Sequence, residues 1–465
     1  MKLFFSILPL LLGGGLWIIP PPDGVTVNAW HLLSIFVATI VGVITKPLPM
    51  GAVSIIGLAV VVLTGTLSFT EAFSGFSNEV VWLIVFAFFV ARGFIKTGLG
   101  SRISYFFMML LGKRSLGLAY GVVATDLFMA PAIPSTTART GGVIFPIVMS
   151  ISKSFGSEPN SPSARKMGSF LTTISIQCSC VSSAMFLTSM AANPLIAELA
   201  KDAGVSISWC DWALASIVPG LISLILLPLL IYKIYPPEIT ETPDAANFSR
   251  KKLQEMGSVK REEGIMICAF VLLLSLWIFG PSISINAAVT ALIGLALLLL
   301  TNVLNWDDIL NEKGAWDTLI WFAVLLMMAS NLNKLGLTDW FSQWIVQAIQ
   351  GYSWITAFGI LSIVYFYSHY FFASNLAHVG AMYSSFLVVA IALGTPPTLA
   401  ALVLAFFSSL FGGITHYACG PAAILFGSGY VPVDKWWKVG AACSVLNLVV
   451  WLGVGSIWWK FLGIW

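Results

Sequence analysis

The sequence predicts an all-α polytopic membrane protein, with 11 transmembrane helices and two re-entrant hairpins arranged as inverted repeats. Three observations predict it. Of 465 residues, 58% are hydrophobic and only 9% charged, which does not describe a soluble surface. Two polar interruptions break the apolar chain at matching places, Ser135-Thr136-Thr137-Ala138-Arg139 and Ser374-Asn375-Leu376-Ala377-His378, with Ser374 and His378 each 239 residues after its counterpart. With the N-terminus inside, 18 of the 23 Lys and Arg fall on the cytoplasmic side and three (Lys201, Lys334, Lys460) outside, leaving Arg92 and Arg139 within the membrane. That asymmetry is a strong positive-inside bias.

A spanning helix needs about 20 mostly apolar residues, and such segments fall near 3 to 19, 29 to 45, 51 to 67 and 80 to 98. The first follows Lys2 and resembles a signal peptide, but no small-x-small site follows it and Pro20-Pro21-Pro22-Asp23-Gly24 reads as a tight external loop. An uncleaved span is therefore expected. Arg102 to Gly112 is apolar between cations and too short to cross, so it belongs along the interface. From Ser115 to Ser152 the chain is apolar again, with Pro131 and Pro134 at its middle. This is a re-entrant hairpin, tolerable only if its tip is buried in protein or lines a wet cavity.

Span five, from Lys166 to about Ala200, is too long for one helix and should break within Thr188 to Pro194. Span six, 212 to 235, closes the first half (1 to 235), and the polar stretch 236 to 263 links it to the second (264 to 465). Spans seven, eight and nine follow near 264 to 280, 284 to 301 and 315 to 332. The second half then repeats the first: a short amphipathic piece at 339 to 350, a hairpin at 353 to 394, a broken span ten at 397 to 430 and span eleven at 436 to 459. Eleven spans put the C-terminus outside. Trp82 and Trp321 also differ by 239, while Thr188-x-x-Ala191-x-Asn193-Pro194 and Thr415-x-x-Ala418-x-Gly420-Pro421 correspond at 227. Five spans separate the two tryptophans, so the second copy runs the opposite way through the membrane.

Broken helices carrying hydroxyls, small residues and one cationic group, at matching points of two halves, point to a secondary transporter's binding site. Half-helix N-termini favour an anion there. Ser135, Thr136, Thr137, Ser374 and Asn375 add neutral donors for a carboxylate; the plainer alternative is that they are caps closing a kink. A guanidinium at mid-membrane costs about 2.5 to 3.5 kcal/mol on insertion scales. Arg139 therefore either compensates a bound anion or pairs with Asp126, 13 residues upstream on the other arm. His378 holds the matching place in the second tip, and His416, beside Thr415, is a further cavity candidate. The six cysteines lack the spacing of a zinc site or a disulfide scaffold, so no metal and no cofactor is expected, and a net charge of +3 is too small to suggest nucleic acid. An intramembrane enzyme would need a nucleophile, base and orienting acid that are not evident here. A channel is disfavoured because inverted repeats with broken helices suit alternating access.

These motifs make the chain similar, over essentially all 465 residues, to the divalent anion sodium symporter (DASS) family. That family's two Ser-Asn-Thr tip motifs correspond to Ser135-Thr136-Thr137 and Ser374-Asn375-Leu376. Pro134 to Gly142, Ala191 to Pro194 and Thr415-His416-Tyr417 resemble its exchanger branch, the 2-oxoglutarate/malate translocators and citrate/succinate antiporters. The resemblance implies an elevator-type homodimer in the lipid bilayer of a bacterial inner membrane. It would exchange small dicarboxylate anions such as 2-oxoglutarate, malate, succinate or fumarate without sodium, with Arg139 and His378 in the cation positions. It also implies substrate contacts at the two tip motifs and, in the breaks, at Thr188, Asn193, Pro194, Thr415, Gly420 and Pro421. Thr136 stands in place of Asn and Leu376 in place of Thr, and Leu376 removes a donor. A sodium-coupled di- or tricarboxylate symporter of the same fold is the alternative.

Overall fold

In a computed structural model of the protein, residues 2–45, 47–337, 340 and 353–465 are described. Their elements are helices, as a bilayer demands of chains that must satisfy their own backbone groups. Among the described residues, seven helices are long and apolar enough to cross a membrane, and six more apolar helices are shorter.

The first group of elements is α1 (Lys2–Ile18), α2 (Val27–Thr45), α3 (Met50–Leu63) and α4 (Glu79–Thr97). Local chemistry sets the ends of α4: Asn78 Oδ1 accepts the Val80 N–H at 2.8 Å, and Gly98 closes the helix at φ 77°, where a side chain would be strained. The piece expected at the interface is α5 (Leu99–Leu111). α6 (Ser115–Met129) stops before Pro131 and Pro134, the chain turns, and a π-helical stretch, Thr137–Ile144, leads into α7 (Phe145–Ser154). The anticipated fifth span is divided into α8 (Gly168–Met185) and α9 (Ala192–Asp202), with its break at 186–191. α10 (Trp209–Ile234) follows.

The polar stretch 236 to 263 contains a helix that its composition did not announce, α11 (Pro243–Met256), which packs along α5. Arg102 of α5 secures the end of this stretch. Its Nε and Nη2 donate to the two carboxylate oxygens of Glu263 at 2.8 and 3.0 Å, and Nη1 donates to the Gly257 carbonyl at 2.9 Å. Then come α12 (Arg261–Phe279), α13 (Ala287–Leu300) and α14 (Lys313–Lys334). Apart from Trp340, the amphipathic piece expected at 339 to 350 lies outside the described residues. α15 (Trp354–Tyr367) descends to the second tip, and Asn375–His378 with the π-helical stretch Val379–Tyr383 returns to α16 (Ser384–Ala392). α17 (Pro397–Leu410) and the short α18 (Gly420–Gly427) flank a second break at 414–419, and α19 (Val433–Val449) runs on through Val450–Gly455 to Ser456–Phe461.

The helices pack in two groups that cut across the sequence halves: α1 to α4 with α12 to α14, and α6 to α10 with α15 to α19. Every residue of α8 is buried, as is α17 from Leu399 to Leu410, and these two helices pack on each other at the centre of the second group. Between the groups, α9 leans on α4 and α14, where Asn78 Nδ2 donates to Glu198 at 3.0 Å and Ser330 Oγ to Asp202 at 2.6 Å.

Candidate functional site

The two tips are built alike. Ser135 Oγ accepts the Ala138 N–H at 3.2 Å, and Ser374 Oγ accepts the Ala377 N–H at 3.4 Å. One turn on, the Arg139 N–H meets the Ser135 carbonyl at 2.9 Å and the His378 N–H meets the Ser374 carbonyl at 3.1 Å. Each serine thus caps its helix while its own hydroxyl proton stays free to donate. The capping and binding alternatives are compatible.

Tips and breaks meet crosswise. Thr137, exposed at the first tip, places its Oγ1 against Gly420, the first residue of α18, so closely that a side chain at Gly420 has no room. Asn375 of the second tip reaches Met190 in the first break at 3.5 Å and lies against Gly412 at the approach to the second. Ser374, Cys419 and Gly420 line an open cavity of about 570 Å³, bordered on its other side by Pro49 and Met50 of the first group. Thr136 and Leu376 are half-buried beside their tips. Two acceptors in this region, Asn375 Oδ1 and Thr415 Oγ1, are buried with no hydrogen-bond partner among the described residues.

Arg139 does not face this cavity. It is fully buried and its Nε donates to Asp126 Oδ1 at 3.0 Å. Nη1 donates to the carbonyls of Ile133 in the tip and Ser189 in the break, both at 2.8 Å, and Nη2 donates to Ser183 Oγ at 2.7 Å. Of the two readings open for this residue, the structure has the Asp126 pair. The expectation that its charge compensates a bound anion is corrected accordingly: that charge is already neutralised, and the guanidinium ties tip to break. The two carbonyls it takes are ones that broken helices leave free.

His378 is also fully buried, and it too is turned inward. Ser368 Oγ donates to the Tyr365 carbonyl, so the 2.8 Å contact between Ser368 Oγ and His378 Nε2 has the imidazole N–H as donor. The rings of Tyr365, Phe372 and Phe411 enclose it. His416 turns to Trp437, accepting its Nε1–H at Nδ1, 3.1 Å away.

Five of the break residues expected to contact substrate are enclosed, Thr415 among them. Thr188 Oγ1 donates to the Pro131 carbonyl at 2.7 Å and accepts Trp209 Nε1–H at 3.1 Å. Asn193 Nδ2 donates to the Ser183 and Phe186 carbonyls at 2.8 and 2.9 Å. Pro194 and Pro421 are buried in the first turns of α9 and α18. Thr188 and Asn193 brace the first break, because a break strands carbonyls that only a nearby donor can satisfy.

Sequence reasoning missed two residues of the same kind. Gln177, mid-helix in α8, donates to the Gly413 carbonyl at 2.8 Å, and His369 contacts the Ala418 carbonyl at 3.0 Å. An amide in the middle of a fully buried helix was the available signal for Gln177; His369 had none in the repeat.

The transmembrane-region model of the sodium:sulfate symporters matches residues 2–465. A putative malate transporter, YflS, of Bacillus subtilis (strain 168) is 57% identical over 100% of this chain and 98% of its own length. The chloroplastic dicarboxylate transporter 1 of Spinacia oleracea is 52% identical over 98% of this chain and 81% of its own. A citrate/succinate antiporter of Escherichia coli (strain K12) is 36% identical over 98% and 97%. In fold, the chain is similar to the crystal structure of the Alcanivorax borkumensis YdaH transporter, with a TM-score of 0.58 at 13% identity, covering 99% of this chain and 97% of that one.

Proposed function

The chain belongs to the sodium:sulfate symporter family, whose members named above are transporters and not enzymes, and from that premise we infer that it is a dicarboxylate exchanger. Its substrates are C4 and C5 diacids such as malate, succinate, fumarate or 2-oxoglutarate, in keeping with what the relatives are named for.

One observation carries the reading: the crosswise contacts of tips and breaks bring four helix starts near one another in two pairs, Thr137 against Gly420 and Asn375 against Met190 just before Ala192, and Ser374 and Gly420 line a cavity beside them. A helix N-terminus carries roughly half an elementary positive charge, so four supply about two, which matches a dianion. A dianion crossing a low-dielectric core needs such compensation. With it built into the backbone, sodium is not required. In the first half the Arg139 guanidinium already takes the Ile133 and Ser189 carbonyls that would otherwise suit an ion. The empty carrier, its partial charges unmatched, returns slowly, and exchange follows.

The sequence halves 1 to 235 and 264 to 465 act as inverted repeats with eleven spans, N-terminus inside and C-terminus outside, in a bacterial inner membrane. The group of α6 to α10 and α15 to α19 moves as an elevator against the group of α1 to α4 and α12 to α14, which forms the homodimer. The cavity lies beside the loop at Pro49, on the cytoplasmic side in this topology. A sodium-coupled carrier is the second reading, favoured by the unpartnered Asn375 Oδ1 and Thr415 Oγ1, both acceptors suited to a cation.

Thr137→Ala, Ser135→Ala and Ser374→Ala test the site. Each removes a hydrogen bond to a charged ligand, worth about 1.5 to 3 kcal/mol, and should raise the half-saturation concentration for labelled diacid by about ten- to a hundredfold. Thr137→Ala is the cleanest, since the serines also lose a cap. Wild-type counterflow in proteoliposomes from all three variants would overturn the site.

A further inference from the structure

We propose that His369 is a positioning residue, a neutral strut that fixes the second break and aims its backbone amides at the cavity. It stands in the short turn Ser368–Phe371 that leads into the second tip, and it is fully buried. Its Nε2 lies 3.0 Å from the Ala418 carbonyl oxygen. A carbonyl only accepts, so Nε2 carries the proton, while Nδ1 is buried with no partner among the described residues, which suits a lone pair there and a neutral ring. The ring stacks on Phe411 at 3.8 Å and 16° and meets His378 edge-on at 5.2 Å, so it has little freedom to swing away.

The bond repeats one in the first half. Arg139 joins the first hairpin to the first break through the Ser189 carbonyl, and His369 joins the second hairpin to the second break through that of Ala418. The acceptors lie at near-corresponding places, for Ala418 matches Ala191, two residues after Ser189. The donors do not correspond, since the position 239 before His369 is Ala130. His378, which does match Arg139, bonds within its own hairpin.

The consequence follows from peptide geometry. In a planar trans peptide the C=O and the following N–H point opposite ways. Holding the Ala418 carbonyl on His369 therefore turns the Cys419 N–H away from it, and Cys419 and Gly420 line the cavity. The strut thus orients the start of α18, one of the four helix ends to which the anion is assigned, and so the inference rests on that assignment. An imidazole does this without adding a second charge.

The test compares wild-type protein with His369→Gln, His369→Leu and His369→Asn in proteoliposomes, with labelled malate and labelled 2-oxoglutarate as probes. Glutamine sets an amide N–H near the place of Nε2–H; leucine has no donor and asparagine does not reach. His369→Leu and His369→Asn should raise the half-saturation concentration by about tenfold or more with the maximal rate within about threefold. His369→Gln should stay within about threefold of wild type in both. Should leucine prevent folding, the contrast of glutamine with asparagine decides alone. Half-saturation values unchanged in all three variants, or a loss of thermal stability shared by all three with no change in half-saturation, would overturn the strut. A wild-type protein that shows no diacid counterflow would overturn the functional reading, and the strut with it.

Discussion

Arg139→Ala is expected to abolish exchange and to lower the melting temperature of the purified protein. Removing the guanidinium leaves Asp126, only 2% exposed, without its partner. Breaking a buried ion pair in this way costs about 3 to 5 kcal/mol, because the remaining charge is uncompensated. The carbonyls of Ile133 and Ser189 lose their donor at the same time, so of the ties between tip and break only those such as Thr188 to the Pro131 carbonyl remain. Arg139→Lys should not rescue: an ammonium is a point charge and does not serve a carboxylate, two carbonyls and a hydroxyl through one planar fork. Asp126→Asn separates this account from one in which Arg139 serves the substrate directly. As a tie, the pair fails when either member is neutralised, and Asp126→Asn should lose at least about tenfold in exchange rate, consistent with a perturbed buried charge. Exchange at the wild-type rate in Asp126→Asn would contradict the tie.

Much of this arrangement was legible in the sequence because a membrane simplifies the choice between helix and no helix. Apolar runs set the helices, and proline, glycine and hydroxyl clusters interrupted them, which located the hairpin limits near Ser115 and Ser152 and a break within Thr188 to Pro194 that overlaps the observed 186–191. The 239-residue offset anticipated the two capping serines, whose hydrogen bonds repeat position for position. What could not be read was the direction in which a side chain turns at a break. Asp126 and Arg139 are 13 residues apart with two prolines between, and only the course of the backbone through 130–136 decides that they meet. Thr188 and Asn193 looked like ligands for the same reason that they brace the chain, since both roles ask for a polar group beside exposed backbone. His369 sits on the arm opposite the one the repeat highlights, and α11 lies in a stretch too polar for the apolar pattern to mark.

A cross-link between the packing groups is expected to stop exchange altogether. Val43 of α2 and Ala377 of the second tip pack in one small buried cluster across the boundary between the groups. Cysteines at these two positions, in a background with the accessible Cys210 and Cys268 replaced, would join the tip to α2 once bridged. If the hairpins travel with their substrate, transport should fall to background and return on reduction, while diacid binding persists from one face. Elevator motion requires the whole group to slide, and a covalent bridge at Val43, on the rim of the cavity, removes that freedom. Full exchange in a sample verified to be bridged would argue for a fixed site with moving gates.

The central claim is that the protein itself, through helix ends and hydroxyls, compensates a bound dicarboxylate and so exchanges it without sodium. Efflux of labelled malate from proteoliposomes in sodium-free choline buffer, with and without malate outside, tests it most directly. The account predicts rapid efflux when external malate is present and slow efflux when it is absent. Efflux that requires sodium, or that runs equally fast with no diacid outside, would contradict it.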